Sequence, residues 1–247
     1  SLESLGKAVL TGGDLAVARG LFDDAIALWR ELKDRGGEAR ALLNAGRVAR
    51  DQGDTAAARA YFTDARQIAE ERGDPKQRVA ALHNLGEIAR LELAYEEAGQ
   101  LLEQSLALAR EAGERDGILA SLHKLAMLAL DQAEWARARA RWTELITRAR
   151  EWDRQHAFPD SAWIPGSNPP PELFDALEGI SRVWLQQGEA RRAARLLGAV
   201  TAARSARQPT LWGYQPSDHA PSENLVPALQ AALDPESFAA GWTEGHE

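Results

Sequence analysis

The feature that most constrains this chain is an internal repeat with a period of about forty residues. Small residues recur at that spacing at four positions, Gly6, Gly46, Gly86 and Ala126. Each is followed by a second small residue and then by a bulky one, in the order Ala18, Ala58, Ala98, Ala138 and Phe22, Phe62, Leu102, Trp142. A constant period of this length is typical of stacked repeats, in which each unit covers the apolar face of its neighbour.

Each unit is predicted to consist of two amphipathic helices. Apolar residues such as Leu82, Leu85 and Ile88 recur at a spacing that places them on one face of a helix. The pair Gly53-Asp54 separates the two halves of a unit, because glycine favours the end of one helix and aspartate caps the start of the next. The pattern therefore predicts a series of helical hairpins.

Two glycines of the repeat, Gly46 and Gly86, lie inside predicted helices. A glycine in a helix costs roughly 0.5–1 kcal/mol relative to alanine. We infer that a second helix crosses close to each glycine, and we expect the small residues Ala58 and Ala98 to be the matching contacts.

The period breaks once, and this break sets the expected domain boundaries. A fifth copy contains Ser181 and Gly188-Glu189, but it is displaced by an insertion of about fifteen residues. We expect four hairpins over residues 1–152, a Pro-rich loop over 153–172, a fifth hairpin over 173–206 and a capping segment with short helices over 207–247. The loop is predicted to hold His156, Phe158, Trp163 and Ile164 outside the helical pattern, either folded over an edge of the stack or projecting toward a partner.

The spacing of small and large residues resembles the tetratricopeptide repeat (TPR). The resemblance is carried in the third unit by Leu82, Leu85, Gly86, Ala89, Tyr95, Ala98, Leu102 and Ser105. It implies an all-α fold, a right-handed α-α superhelix (a TPR solenoid) of about five helical hairpins with a C-terminal helical cap. The repeat unit of about forty residues is longer than the usual tetratricopeptide repeat of about 34 residues. In this respect it is similar to the subtype found in kinesin light chains and many bacterial regulators.

The C-terminal part resembles the end of large bacterial transcriptional regulators and signalling ATPases. This second resemblance is carried by Gly188, Ala193, Ala194, Leu196, Leu197, Gly198, Ala199, Phe238, Trp242 and Gly245. The chain starts inside a helical pattern without an initiator Met, so we expect a piece of a longer protein. Apolar residues of the tail are predicted to cover the last hairpin, namely Leu225, Leu229, Leu233, Phe238 and Trp242; a ligand site in the tail is the alternative.

The TPR resemblance also implies where a ligand binds, because the first helix of each hairpin lines a groove in that family. By position, the candidate ligand-binding residues are Leu43, Asn44, Arg47, Arg50, His83, Asn84, Glu87, Arg90, His123, Lys124 and Met127. The family often uses an asparagine at the positions of Asn44 and Asn84 to hold a ligand's backbone. The arginines and Lys124 would make the groove locally basic and suited to an acidic peptide. The alternative is that these side chains form only solvated helix faces.

Composition and motifs argue against other classes of function. The net charge of −8 argues against broad binding of a nucleic-acid backbone, no apolar run is long enough to span a membrane, and the absence of cysteine excludes thiol chemistry. Metalloprotease, serine-hydrolase and Walker-type motifs are absent from the sequence. We therefore expect a chain that is not an enzyme and has no catalytic residues, metal site or cofactor.

The leading hypothesis is a protein- or peptide-binding module that acts as the sensing or interaction domain of a larger cytoplasmic bacterial regulator. One alternative is a stand-alone scaffold adaptor, and another is a small-ligand receptor formed by the groove and the Trp163 loop. We expect an acidic protein or peptide partner, no direct binding of nucleic acid and no membrane association. A homodimer formed through the open N-terminal hairpin is a further expectation.

Overall fold

The computed structural model describes residues 14–156, 171–205 and 221–246, and every regular element in these ranges is an α-helix. In chain order the helices are α1 (Leu15–Glu31), α2 (Arg35–Asp51), α3 (Thr55–Arg72), α4 (Pro75–Leu91), α5 (Tyr95–Ala112), α6 (Arg115–Asp131), α7 (Trp135–His156), α8 (Pro171–Gln186), α9 (Ala190–Ser205), α10 (Pro221–Ala232) and α11 (Pro235–His246). The predicted all-helical fold is confirmed for the described part of the chain.

Aspartates set the start of the first four helices. The carboxylates of Asp14, Asp34, Asp54 and Asp74 each accept a hydrogen bond from a backbone N–H in the first turn of the helix that follows. Gly53 has a φ of +79°, so it makes the left-handed turn between α2 and α3. The predicted Gly-Asp joint is therefore present at residues 53 and 54.

The equivalent joints of the next two repeats, α4–α5 and α6–α7, also turn through a left-handed residue, but without the same residue types. Leu93 and Ala133 adopt left-handed φ values of 62° and 56°, although neither is a glycine. Ala94 takes the capping position of α5 with no side-chain hydrogen bond. The neighbouring helices hold this turn in place even where the local sequence does not favour it.

Contacts between Cα atoms divide the chain into two units, residues 1–128 and 129–247. The core of the first unit is formed by buried residues of α1 to α4, including Phe22, Leu42 and Phe62. Toward α5 and α6, the buried Ser105 hydroxyl donates to the Val79 carbonyl oxygen at 3.1 Å and lies 2.9 Å from the Ser121 hydroxyl. These bonds satisfy the polar groups that the repeat buries at this position.

The close helix crossings predicted at Gly46 and Gly86 are present, but the side chains in contact are the bulky ones. A Cβ placed on Gly46 would lie 2.5 Å from Cε1 of Phe62, and one on Gly86 would lie 2.7 Å from Cγ of Leu102. The carbonyl oxygen of Ala98 lies 3.4 Å from the Cβ placed on Gly86, farther than the Leu102 side chain. The absent Cβ thus makes room for a large side chain, not for a matching small one.

The second unit contains the fifth hairpin, α8 and α9, and the two C-terminal helices. Trp142 of α7 is fully buried, and its indole lies where a Cβ on Gly179 of α8 would be. Trp135 of α7 and Trp184 of α8 are only partly buried.

Helices α10 and α11 cover one face of α9. Leu225 and Leu229 are buried against Leu197, while Phe238 and Trp242 pack at the edge of the same cluster. A Cβ on Gly198 would lie 2.5 Å from the Trp242 carbonyl oxygen. A Cβ on Gly245 would overlap the carbonyl oxygen of Arg195. Glycines thus let the backbones of α9 and α11 approach each other directly.

The expected inserted loop falls mainly outside the described residues. Helix α7 continues to His156, so this histidine belongs to a helix and not to the loop in which we expected it. The predicted loop residues Phe158, Trp163 and Ile164 lie outside the described residues, as does the first repeat position, Gly6.

Candidate functional site

The eleven candidate residues lie on three successive first helices, α2, α4 and α6, and all belong to the first unit. Helix α2 carries Leu43, Asn44, Arg47 and Arg50; helix α4 carries His83, Asn84, Glu87 and Arg90; helix α6 carries His123, Lys124 and Met127. Because the forty-residue period repeats the same helical register, equivalent side chains share one face of the three helices. We call this set of residues the α2–α4–α6 face.

The α2–α4–α6 face is less open to solvent than its polar composition suggests. Its buried members are Leu43, Asn44, Asn84, Glu87 and Arg90, each with at most 7% of its surface exposed. Arg47 is exposed, and the remaining members, Arg50, His83, His123, Lys124 and Met127, are partly buried. Neighbouring helices therefore cover part of the face that the sequence presented as a polar groove.

Glu87 is the centre of a buried ion-pair network. Its carboxylate accepts hydrogen bonds from Nε of Arg90 at 2.9 Å and from Nζ of Lys124 at 2.9 Å. Burial opposes ionisation of Glu87, but the charge of Lys124 and the hydrogen bond from Arg90 outweigh it and hold the pKa of this carboxyl well below its usual range. The network joins α4 to α6 and keeps Glu87 ionised.

His83 lies among cations that keep its imidazole neutral. Desolvation, reinforced by the positive charges of Arg47, Lys124 and Arg50, lowers the pKa of His83 to about 3. Its Nδ1 is buried and makes no hydrogen bond with the described residues, while Nε2 lies 3.2 Å from Nδ2 of Asn84. The positive charges that act on His83 therefore come from α2 and α6.

Arg47 and Arg50 supply the positive charge on α2. Desolvation by the surrounding protein and the charge of Arg50 lower the pKa of Arg47 below its usual value, although the Arg47 side chain is exposed. Arg50 donates two hydrogen bonds to the adjacent Asp51, at 2.9 and 2.7 Å.

The two equivalent asparagines differ in their hydrogen bonds. Asn84 donates from Nδ2 to the Ala80 carbonyl oxygen at 2.7 Å, so its amide is bound to its own helix. Nδ2 of Asn44 is buried and forms no hydrogen bond within the described part of the chain. A buried amide left unpaired costs free energy of the order of 1–3 kcal/mol. Of the two asparagines, Asn44 is therefore the one with a donor available for a ligand.

Other kinds of site find no support in the described residues. Within residues 14–156, 171–205 and 221–246, no group of three or more His, Asp or Glu side chains is placed to hold a metal ion. In the same ranges no helix combines the length and apolar character that crossing a bilayer needs.

The sequence analysis did not predict a pocket of about 390 Å³ that lies between α1, α2 and α3. This pocket involves none of the eleven candidate residues.

A comparison of the chain with known protein families gives a match over its N-terminal part. A tetratricopeptide-repeat family model matches residues 1–71, and solved structures with this fold align over most of the chain. The chain carries a tetratricopeptide-repeat fold. No curated protein gives a significant sequence match.

Three solved structures indicate the breadth of this fold. A Rap protein complexed with competence and sporulation factor aligns with a TM-score of 0.72 and 13% identity, over 97% of this chain and 61% of that one. Kinesin light chain TPR-like repeats from Podosopora anserina align at 0.59 with 18% identity, over 84% of this chain and 95% of the other. A signal transduction ATPase with a tetratricopeptide repeat sensor from Pyrococcus horikoshii aligns at 0.61 with 16% identity, over 99% of this chain and 34% of the other. At such identities the likeness establishes the TPR fold alone.

Proposed function

We propose that this TPR array binds an extended, acidic protein or peptide segment on the α2–α4–α6 face. The observation that carries the proposal is the group of cations around a neutral histidine, namely Arg47, Arg50 and Lys124 around His83. Arg50 and Lys124 already have counter-charges in Asp51 and Glu87, so the exposed Arg47 is the cation that a bound carboxylate would neutralise. A bound carboxylate would supply the missing negative charge in a partly desolvated setting, where ion pairs are stronger than in water.

The amide of Asn44 supports a ligand with a peptide backbone. Its buried Nδ2 forms no hydrogen bond among the described residues, so a rotation of the side chain could offer this donor to a backbone carbonyl oxygen. Arg47 stands one helical turn beyond Asn44 and is exposed, so the two side chains could contact successive groups of one segment. One of the similar structures is a complex of a Rap protein with competence and sporulation factor, which supports a ligand-binding role for this fold.

The proposed setting is the sensing or interaction domain of a larger bacterial transcriptional or signalling regulator in the cytoplasm. The structural likeness to an ATPase that has a tetratricopeptide repeat sensor supports this setting. In it, the array is not catalytic and does not contact nucleic acid itself; a ligand acts by favouring one of two states of the full protein. We also expect a homodimer, whose proposed N-terminal surface includes residues 1–13, outside the described ranges.

The test is a selection from a random peptide library displayed on phage, followed by affinity measurement with single variants. We expect the selected peptides to be enriched in Asp and Glu. Arg47→Gln should weaken the best peptide about tenfold, or ~1.4 kcal/mol, because it removes one charge without leaving a buried group unpaired. Asn44→Ala should weaken binding of the selected peptides whatever their side chains, because the Asn44 amide is proposed to contact the peptide backbone.

The matched control is Arg66→Gln. This variant removes an arginine from α3, a helix that is not part of the α2–α4–α6 face. This variant should bind like the wild type, and raising the salt concentration should weaken the wild type more than Arg47→Gln. Selected peptides that lack acidic residues, or that bind Arg47→Gln and Arg66→Gln equally well, would overturn the proposal.

A further inference from the structure

A trough lies between helices α1 and α3, away from the α2–α4–α6 face. Its volume is about 390 Å³, which falls at the lower end of small-ligand pockets. The floor is formed by the buried side chains of Ile26 and Leu42. The walls are low because they carry alanines, Ala27 on α1 and Ala57 and Ala60 on α3. We call this feature the α1–α3 trough.

The forty-residue register explains why the trough is open at this place. The positions equivalent to the three wall alanines in the next interval, between α3 and α5, are Gln67, Glu97 and Gln100. These long side chains can occupy the space that the alanines leave empty. The short alanine walls that leave the floor open are therefore not repeated in the next interval.

The rims of the trough carry negative charge. Asp23 on α1 accepts a hydrogen bond from the Tyr61 hydroxyl at 2.6 Å. Asp64 on α3 is exposed and has no ion-pair or hydrogen-bond partner within the described ranges. The one cation in the lining, Arg30, already donates to the buried Glu38 at 2.7 Å. Two carboxylates thus remain available above an apolar floor.

A second cation lies near the trough but is also neutralised. The Arg19 guanidinium is 5.9 Å from the centre of the Tyr61 ring, and its Nη1 donates to Asp54 at 3.0 Å. The charges at the rims therefore favour a positively charged ligand, and the floor favours an aliphatic chain on it.

We propose that the α1–α3 trough receives a lysine side chain from a segment of a partner protein. The four methylene groups of the lysine lie on Ile26 and Leu42, and its ammonium group is bound by the carboxylates of Asp23 and Asp64. The site is separate from the acidic-peptide face, so the array can engage one partner on two surfaces of opposite charge.

The probe is Nα-acetyl-lysine methylamide, titrated onto the full chain with ¹³C-labelled alanine methyl groups. We expect saturable shifts of the Ala27, Ala57 and Ala60 methyl resonances, and no such shifts when the ε-amine of the probe is acetylated. Asp64→Asn should weaken binding about threefold, the effect of one exposed ion pair. Ala60→Gln, which installs the residue found forty positions later, should abolish binding by filling the trough.

Asp24→Asn is the matched control, because Asp24 is an exposed aspartate of α1 that does not line the trough. It should leave the affinity unchanged. Equal binding of the acetylated probe, equal loss in Asp24→Asn and Asp64→Asn, or unchanged binding in Ala60→Gln would overturn the proposal. Tighter binding of free 1,5-diaminopentane than of the lysine probe would also overturn it, since the site would then take a free amine. None of these results depends on Arg47 or Asn44.

Discussion

At the residue scale, Gly46 and Gly20 are two helical glycines in opposite surroundings. A Cβ on Gly46 would overlap the Phe62 ring, whereas a Cβ on Gly20 would meet nothing within 4 Å. We expect Gly46→Ala to lower the free energy of unfolding by about 1–2 kcal/mol, because overpacking outweighs the gain in helix propensity. Gly20→Ala should raise it by about 0.5–1 kcal/mol. Urea unfolding followed by circular dichroism measures both.

The two glycine variants check each other, since they make the same chemical change in helices of similar length. A Gly46→Ala protein as stable as Gly20→Ala would mean that Phe62 can move aside without loss. The close crossing would then not explain the glycine.

Individual side chains were predicted from the sequence in kind but not in burial. The register located Asn84, Glu87 and Arg90 on the same face as Asn44, and the structure brings these helices together. Their burial could not be predicted, because it depends on partners on other helices. Lys124, thirty-seven residues after Glu87, makes a buried carboxylate tolerable there. Periodicity shows which face a residue occupies, but not how deeply the next helix covers it.

At the scale of the helix, the capping residues of α4 and α5 offer a direct comparison. Asp74 accepts a hydrogen bond from the Gln77 N–H, while Ala94 has no capping bond although its φ and ψ of −82° and 65° resemble those of Asp54. We expect Asp74→Ala to lower the free energy of unfolding by about 1 kcal/mol and Ala94→Asn to raise it by about 0.5–1 kcal/mol. Thermal and urea unfolding give both values.

Ala94→Asp is the control for charge in this experiment. It should stabilise no more than Ala94→Asn, because Glu96 and Glu97 in the first turn repel an added carboxylate. If Ala94→Asn has no effect while Asp74→Ala destabilises, the turn at Leu93 prevents the cap from forming.

Helix boundaries followed the sequence where the local chemistry was strong. Gly53 and Asp54 marked their joint, because a left-handed turn and an N-cap each have a preferred residue. Leu93 and Ala94 carry no such signal, and only the period of the repeat located that turn. The end of α7 was predicted too early, since no residue near His156 stops a helix before the prolines.

At the scale of the whole molecule, His83 couples stability to pH. Its pKa in the folded chain is about 3, against 6.5 for an ordinary histidine, so the unfolded chain binds more protons between these values. The contribution of the neutral His83 to the free energy of unfolding is fully present above pH 6.5, and it is lost progressively as the pH falls below this value. The slope from this one group reaches about 1.4 kcal/mol per pH unit. We expect His83→Gln to lose this slope between pH 6.5 and 5.

Urea unfolding at a series of pH values measures that slope for the wild type and for His83→Gln. Above pH 5 few carboxyl groups take up protons, so Glu87 contributes little in the chosen range. Parallel curves for the two proteins would show that His83 can be protonated in the folded chain. His83 would then no longer support the proposal that the α2–α4–α6 face is electropositive.

The fold class was fully accessible from the sequence, because four copies in one register leave little freedom for any other arrangement. The sequence did not predict the α1–α3 trough, because alanine is common throughout these helices and its side chain has no group that signals a binding site. A position-by-position comparison of each repeat with the next reveals the difference, because Ala57 and Ala60 are equivalent to Glu97 and Gln100.

The glycine-mediated approach of α11 to α9 bears on how the chain can assemble. A stack of hairpins can grow at any uncovered end, either by another hairpin or by a second copy of the chain. At this end the contact surface of α9 is already occupied at backbone distance, through Gly198 and Gly245. Head-to-tail polymerisation from α9 would first have to peel α11 away, so the C-terminal helix terminates growth at that edge.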